Sequence, residues 1–128
     1  MKSKIFISYA RVDADFVLKL CEDLKTSGIG IWIDQFDISV GEIWDQKIQE
    51  AILKCDFILV ILSPNSVSSQ SVLDELYFAL EVNKKILPVM YQSCDVPLRI
   101  RRIQYCDFTS NYQIAMNKLI YSLEGEKV

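Results

Sequence analysis

Apolar residues alternate along the chain between short continuous runs and stripes with helical spacing. The clearest runs are Ile5–Ile7 and Phe57–Leu62, and continuous apolar runs are typical of strands buried on both faces of a parallel sheet. Further runs predict strands at 29–33, 86–90 and 103–108, the last at a sheet edge. Because Pro88 cannot donate a ladder hydrogen bond, the fourth strand is expected to be irregular or bulged.

Apolar positions at helical spacing predict helices between these strands. The stripes cover residues 16–24, 43–52, 71–82 and 112–123. Asp13 is the expected N-cap of the first helix, and Gly28 is its expected stop. The segments 34–42 and 63–69 are predicted to be loops, because the first has no clear period and the second is rich in Ser, Pro and Asn.

The order of these elements predicts an α/β fold with a flavodoxin-like architecture. Strands that alternate with helices favour right-handed crossovers and a five-stranded parallel sheet, in the order 2-1-3-4-5, with helices on both faces. Ligands of such sheets bind beyond the carboxyl ends of strands one and three. That rule places the segment 8–11 and the pair Leu62–Ser63 at a cleft. The loop after strand two and the helix near Ser71 would form its walls.

Composition removes several classes of function. The chain has 128 residues, which is one domain by length, and a formal net charge of -3, which argues against nucleic acid as a partner. It has no histidine, so Ser-His and Cys-His nucleophile pairs and histidine metal ligands are excluded, and no metal site is predicted. The apolar runs are too short for a signal peptide or a membrane span, so we expect a cytoplasmic protein without a membrane partner.

The cysteines and glycines narrow the chemistry further. Four cysteines are scattered without a CxxC pair and are expected to be small core residues, with a disulfide or a zinc site as the alternative. The chain has neither GxGxxG nor GxxxxGK[ST], so a standard Rossmann or P-loop nucleotide site is not expected. The third strand ends at Ser63 rather than at an aspartate, which leaves phosphotransfer without an acceptor.

Glu75 lies one turn into the helix that follows the third strand, on the side of the predicted cleft. Position alone leaves two interpretations open. A carboxylate near a helix N-terminus is stabilised by the helix dipole by about 0.3–1 kcal/mol. The alternative is a functional carboxylate that faces the cleft.

Motifs spread along the chain resemble those of TIR (Toll/interleukin-1 receptor-like) domains of bacterial type over nearly its full length. They are Ile5–Ala10, Trp32–Asp34, Gly41 in the position of the family's BB loop, the helix start Ile43–Trp44, the run Cys55–Ser63, and Ser69 followed by Glu75–Leu76. The resemblance predicts one TIR domain over 1–128, which we expect to be the N-terminal part of a longer multidomain protein.

The resemblance implies cleavage of NAD+ at the nicotinamide–ribose bond, with NAD+ as substrate and no cofactor, in bacterial immune or anti-phage signalling. The products would be nicotinamide and ADP-ribose or a cyclic isomer. Glu75 occupies the position of the family's catalytic glutamate. The implied substrate-binding residues are Ser8, Tyr9, Ala10, Arg11, Asp34, Gly41, Ile43 and Ser71, and the implied interface residues around the BB loop are Phe36, Asp37, Ile38 and Trp44. Homotypic assembly, as an oligomer or filament, would activate the enzyme by completing the site.

One residue departs from the pattern. Many active TIR domains carry Trp four residues before the glutamate, where this chain has Ser71. The departure leaves weaker turnover, an altered product and a catalytically silent scaffold that joins other TIR domains as alternatives. A separate alternative is an effector that competes with the TIR domains of a host.

Overall fold

Five parallel strands form one sheet in the order β2-β1-β3-β4-β5, as predicted. The computed structural model describes residues 4–32 and 44–124. Its strands are β1 (Lys4–Ser8), β2 (Gly30–Trp32), β3 (Phe57–Leu62), β4 (Lys85–Met90) and β5 (Cys106–Asp107). The register pairs Ser8 with Val60. The carboxyl ends of β1 and β3 therefore lie side by side at the switch point.

Helices cover both faces of the sheet. They are α1 (Ala14–Thr26), α2 (Trp44–Lys54), α3 (Pro64–Val67), α4 (Gln70–Glu81) and α5 (Tyr112–Glu124), with 3-10 turns at Arg11–Asp13 and Leu98–Ile100. Gly28 has a φ of 87°, a left-handed conformation that glycine adopts without steric cost. The predicted stop of the first helix is therefore confirmed.

The side chains of β1 alternate between two hydrophobic cores. Ile7 packs with Leu20 of α1 in one core, whereas Phe6 packs with Leu76 of α4 in the other. Successive side chains of a strand point to opposite faces. Ser8, two residues after Phe6, therefore faces α4, and this alternation sets the geometry of the candidate site.

The segment 63–69 is not wholly a loop, because it contains α3. The Ser63 hydroxyl accepts a hydrogen bond from the Ser66 amide, and the Ser66 hydroxyl accepts one from the Ser63 amide. Pro64 occupies the start of the helix, where its missing N–H costs nothing. This reciprocal capping explains why a segment rich in Ser and Pro forms a helical turn.

The last two strands also differ from the prediction. Pro88 pairs with Val60 in a register that runs without interruption from Phe57–Lys85 to Leu62–Met90, so the predicted irregularity is wrong. β5 is only two residues long and pairs with Val89 and Met90. The short β5 leaves the start of β4 without a strand neighbour on that side, so a proline is tolerated there.

Three further features of the described residues concern the cysteines, membrane spans and metal ligands. All four cysteines are free. No helix in the described part of the chain is long and apolar enough to cross a membrane. Within residues 4–32 and 44–124, no three acidic or cysteine side chains converge as a metal site would require.

Candidate active site

The buried polar side chains of the described residues gather at one end of the sheet. They are Ser8, Asp13, Ser63, Ser66 and Glu75. Four of them follow or end β1 and β3, and Glu75 reaches the same place from α4. Buried polar groups are costly unless they are hydrogen-bonded, so their concentration at the switch point marks the part of the fold where ligands of such sheets bind.

Ser8 and Glu75 form the central contact of this end. The Ser8 hydroxyl donates a hydrogen bond of 2.6 Å to Oε1 of Glu75. Ser8 is fully buried, and Glu75 is 7% exposed. Ser69 caps α4 by accepting a hydrogen bond from the Val72 amide, and one turn later the buried face of that helix carries Glu75 towards β1. The hydroxyl of Ser8 is therefore directed at the carboxyl group rather than at the solvent.

Burial raises the pKa of Glu75 from 4.5 to about 7. Desolvation is the largest cause, the hydrogen bond from Ser8 opposes it, and the nearby charge of Asp74 adds to it. A carboxyl group that titrates near neutral pH in a cleft is a marker of functional sites. The interpretation of Glu75 as a mere helix-start acid does not account for its burial.

A cavity of about 280 Å³ opens beside Glu75, between α2 and α4. Its lining residues are Ile48, Gln49, Ile52, Ser71, Asp74, Glu75 and Phe78. Its apolar part comes from both helices, and its two acidic side chains, Asp74 and Glu75, come from α4. The volume lies just below the usual range for small-molecule sites, so a dinucleotide would extend beyond it.

The other predicted substrate-binding residues are distributed around this end. Tyr9 is buried in the core with Leu20, on the opposite face of the sheet from Glu75. Ala10 is buried, whereas Arg11 and Ser71 are exposed. Ser71 lines the cavity with Glu75. The structure thus brings Ser8, Glu75 and Ser71 together. Burial is the main cause of a raised pKa at Tyr9, and the charges of Arg11 and Glu75 also act on it. Its role in substrate binding stays a prediction.

Several predicted residues lie outside the described part of the chain. They are Asp34, Phe36, Asp37, Ile38, Gly41 and Ile43, together with the side chain of Trp44. Their roles in substrate binding and in the BB loop stay predictions.

Asp13 and Ser63 form a second contact whose role the sequence did not reveal. Asp13 occupies the N-cap position of α1, as predicted, but its side chain makes no capping hydrogen bond. Its Oδ2 instead accepts a hydrogen bond of 2.5 Å from the Ser63 hydroxyl. Asp13 is 4% exposed. The position of Ser63 after β3 predicts that it lies at the cleft, and this is the one sequence signal for the contact. An aspartate before a helix is ordinarily a cap, so Asp13 gives no such signal.

The chain belongs to the TIR domain family, whose model matches residues 5–120. The fold agrees with that assignment.

Two curated relatives carry the names of enzymes, one a cyclic ADP-ribose synthase and the other an NAD+ hydrolase. The chain is 31% identical to the 2' cyclic ADP-D-ribose synthase AbTIR of Acinetobacter baumannii, over 94% of this chain and 45% of the relative. It is 35% identical to the NAD(+) hydrolase TcpC of Escherichia coli, over 67% of this chain and 30% of the relative. The chain therefore spans less than half the length of these relatives.

Solved structures share the fold at lower identity. The TIR domain of the Toll-related receptor TRR-2 from Hydra magnipapillata superposes with a TM-score of 0.85 at 23% identity, covering 94% of this chain and 97% of that one. The heterodimer of the RPS4 and RRS1 TIR domains gives a TM-score of 0.66 at 19% identity, covering 98% and 97%. These likenesses support the fold.

Proposed function

We propose that this TIR domain cleaves NAD+ at the bond between nicotinamide and ribose, with Glu75 as the catalytic carboxylate. The observation that carries the proposal is the buried Glu75 carboxyl, hydrogen-bonded by Ser8 and open to a cavity at the switch point. The names of the two relatives support the same chemistry. The products are nicotinamide and either ADP-ribose or a cyclic isomer.

The reaction requires little beyond a well-placed negative charge. Cleavage of a glycosidic bond develops positive charge on the ribose in an oxocarbenium-like transition state. Nicotinamide leaves as a neutral molecule from a cationic precursor, so no general acid is needed. A carboxylate in a site of low dielectric stabilises the developing charge more strongly than it would in water. A chain without histidine can therefore carry out this step.

The contact with Ser8 assigns different tasks to the two oxygens of Glu75. Oε1 accepts the Ser8 hydrogen bond, which fixes the plane of the carboxyl group. Within the described residues, no donor other than Ser8 is hydrogen-bonded to this side chain. The second oxygen is thus the one we expect to face the ribose.

The remaining parts of the proposal concern binding and activation. The exposed Arg11 would hold a phosphate, and Asp34, Gly41 and Ile43 would complete the substrate site. Self-association of TIR domains would switch the activity on by supplying a binding-competent geometry. A role in bacterial immune signalling against phage follows from the family resemblance and belongs to the same proposal.

A catalytically silent scaffold is the second candidate function, and Ser71 favours it. Ser71 lines the cavity beside Glu75, at the position where many active TIR domains carry Trp. A serine supplies neither the flat apolar surface nor the volume of an indole ring. A TIR domain that binds other TIR domains but leaves NAD+ intact would fit the serine at this position.

Nicotinamide release from NAD+, followed by HPLC at high protein concentration, separates the two candidates. We expect release by the wild-type chain and a loss of at least about hundredfold in Glu75→Gln, because the transition state then lacks its stabilising charge. Glu81→Gln is the matched control, since it makes the same change at an exposed position of the same helix. Release that survives Glu75→Gln would contradict the assignment, and no release even when the chain is fused to an oligomeriser would favour the scaffold.

A further inference from the structure

The segment that carries Arg11 is held at both ends by buried hydrogen bonds. At its start, Ser8 is bonded to Glu75 on α4. At its end, Asp13 is bonded to Ser63 after β3, with Asn65 at 3.5 Å from the other carboxyl oxygen. Between these two points the Asp13 amide donates to the carbonyl of Ala10 over 2.9 Å. The loop thus has little freedom to move relative to β3 and α4.

Within this segment, two exposed residues lie between buried ones. Tyr9 and Ala10 are buried, and Asp13 is buried, whereas Arg11 and Val12 are exposed. Arg11 forms no salt bridge within the described residues. The segment therefore presents one exposed arginine from an anchored backbone, three residues after the end of β1. Such preorganisation favours bidentate phosphate binding.

We propose that Asp13 is a positioning residue, which through Ser63 fixes the segment 9–13 so that Arg11 meets a phosphate of the dinucleotide substrate. The inference rests on the proposed function and adds a residue to it. Asp13 does not touch the substrate. It joins the loop after β1 to the loop after β3, and its hydrogen bond has the short length expected between a hydroxyl and a carboxylate.

A double-mutant cycle tests whether Asp13 acts through Arg11. Binding of NAD+ is measured by calorimetry in the Glu75→Gln background, which prevents turnover. We expect Asp13→Ala to weaken the Kd about tenfold, because a loosened loop no longer presents the guanidinium. Arg11→Ala should weaken it by a similar factor. The pair together should be no weaker than Arg11→Ala alone, and additive losses would overturn the proposal.

Two variants and one control guard against a purely structural effect. Asp13→Asn keeps an oxygen for the Ser63 hydroxyl and should restore the Kd, and Ser63→Ala should reproduce the loss if Asp13→Ala does not fold. Asp23→Ala is the control, because Asp23 also accepts a 2.5 Å hydrogen bond from a hydroxyl, that of Tyr112, far from the switch point. It should lower the thermal midpoint without changing the Kd. An equal loss of affinity in this control would overturn the proposal.

Hydrogen exchange separates failure of this inference from failure of the proposed function. Amides of the segment 9–13 should exchange faster in Asp13→Ala than in the parent chain, while those of β3 stay protected. If the wild-type chain releases nicotinamide but Asp13→Ala leaves the KM for NAD+ unchanged, the inference alone fails. If the wild-type chain releases no nicotinamide, the proposed function fails. Unchanged exchange at 9–13 in Asp13→Ala would overturn the anchoring by Asp13.

Discussion

Two of the cavities among the described residues lie at opposite parts of the sheet and differ in size and in chemistry. The larger one, about 690 Å³, lies between the β4–β5 edge and α5, with Pro88, Cys106 and Lys118 in its lining. The smaller one, about 280 Å³, lies beside Glu75. The larger cavity follows from the shortness of β5, which leaves part of β4 uncovered.

The titratable groups separate the two cavities more clearly than their volumes do. Beside the larger cavity, burial raises the pKa of Cys106 above its ordinary value, and hydrogen bonds from Thr109 lower the pKa of Asp107. Both groups are therefore moved away from neutral pH, whereas Glu75 is moved to about 7. A buried ionised carboxyl costs stability, and strongly shifted pKa values cluster at functional sites. The burial and the raised pKa of Glu75, rather than the volume of a cavity, locate the candidate site.

The pH dependence of the reaction gives the largest effect by which this comparison can be tested. If ionised Glu75 is required, kcat/KM for NAD+ should fall about tenfold for each pH unit below about 7 and level off above it. The measurement is nicotinamide release between pH 5 and pH 9 at constant ionic strength. A flat profile across pH 6 to 8 would show that a group of ordinary acidity carries the reaction.

Loss of the Ser8 hydroxyl should have a smaller effect with the same origin. Ser8→Ala removes the hydrogen bond that favours ionised Glu75, so the pKa of Glu75 rises further. We expect the rate at pH 7 to fall about fivefold to tenfold, which corresponds to one hydrogen bond to a charged group. Most of the loss should be recovered at pH 9. A loss that is equal at all pH values would mean that Ser8 serves substrate binding instead.

The free energy of unfolding should depend on pH because of the same buried carboxyl. The pKa of Glu75 is higher in the folded state than its ordinary value of 4.5. The folded chain therefore binds the proton more tightly, and stability falls as the pH rises from about 4.5 through about 7. Glu75→Gln avoids this cost, which is at most about 3 kcal/mol. Its thermal midpoint should exceed that of the wild type by several degrees at pH 8 and match it near pH 4.5.

A wild-type chain that is more stable than Glu75→Gln at pH 8 would contradict a destabilising buried carboxylate. If the wild-type chain were the more stable at pH 8, a cation would have to accompany Glu75 in the folded state. Glu81→Gln again serves as the control, because an exposed carboxylate should change the midpoint little at either pH.

The sequence predicted the sheet because its signals are local and strong. The run Phe57–Leu62 is apolar throughout, and all six side chains are buried in β3. The order of the strands then followed from the alternation of elements. Position also placed Glu75 near the cleft, but the depth of its burial depends on α2 and β1, which are distant in sequence.

The errors arise where tertiary contacts override a local rule. Asp13 has the sequence context of a cap, yet its carboxyl group bonds to Ser63, 50 residues away along the chain. Tyr9 belongs to the motif that predicts the cleft and packs in a core with Leu20, while its role in substrate binding stays a prediction. The bond of Asp13 cannot be inferred from spacing, because it depends on how the loops after β1 and β3 meet in the fold.

Substitutions at the larger cavity should have the smallest effect. Lys118→Ala and Ile114→Ser change a charge and an apolar surface there, and Ile114 is already 56% exposed. We expect each to change nicotinamide release less than twofold, since surface substitutions away from a site alter free energies by about 0.5 kcal/mol or less. The measurement is the same HPLC assay at pH 8, beside Glu75→Gln. A loss in either variant that approached that of Glu75→Gln would move the reaction to the β5 edge, and the buried carboxyl would then have to be explained by something other than catalysis.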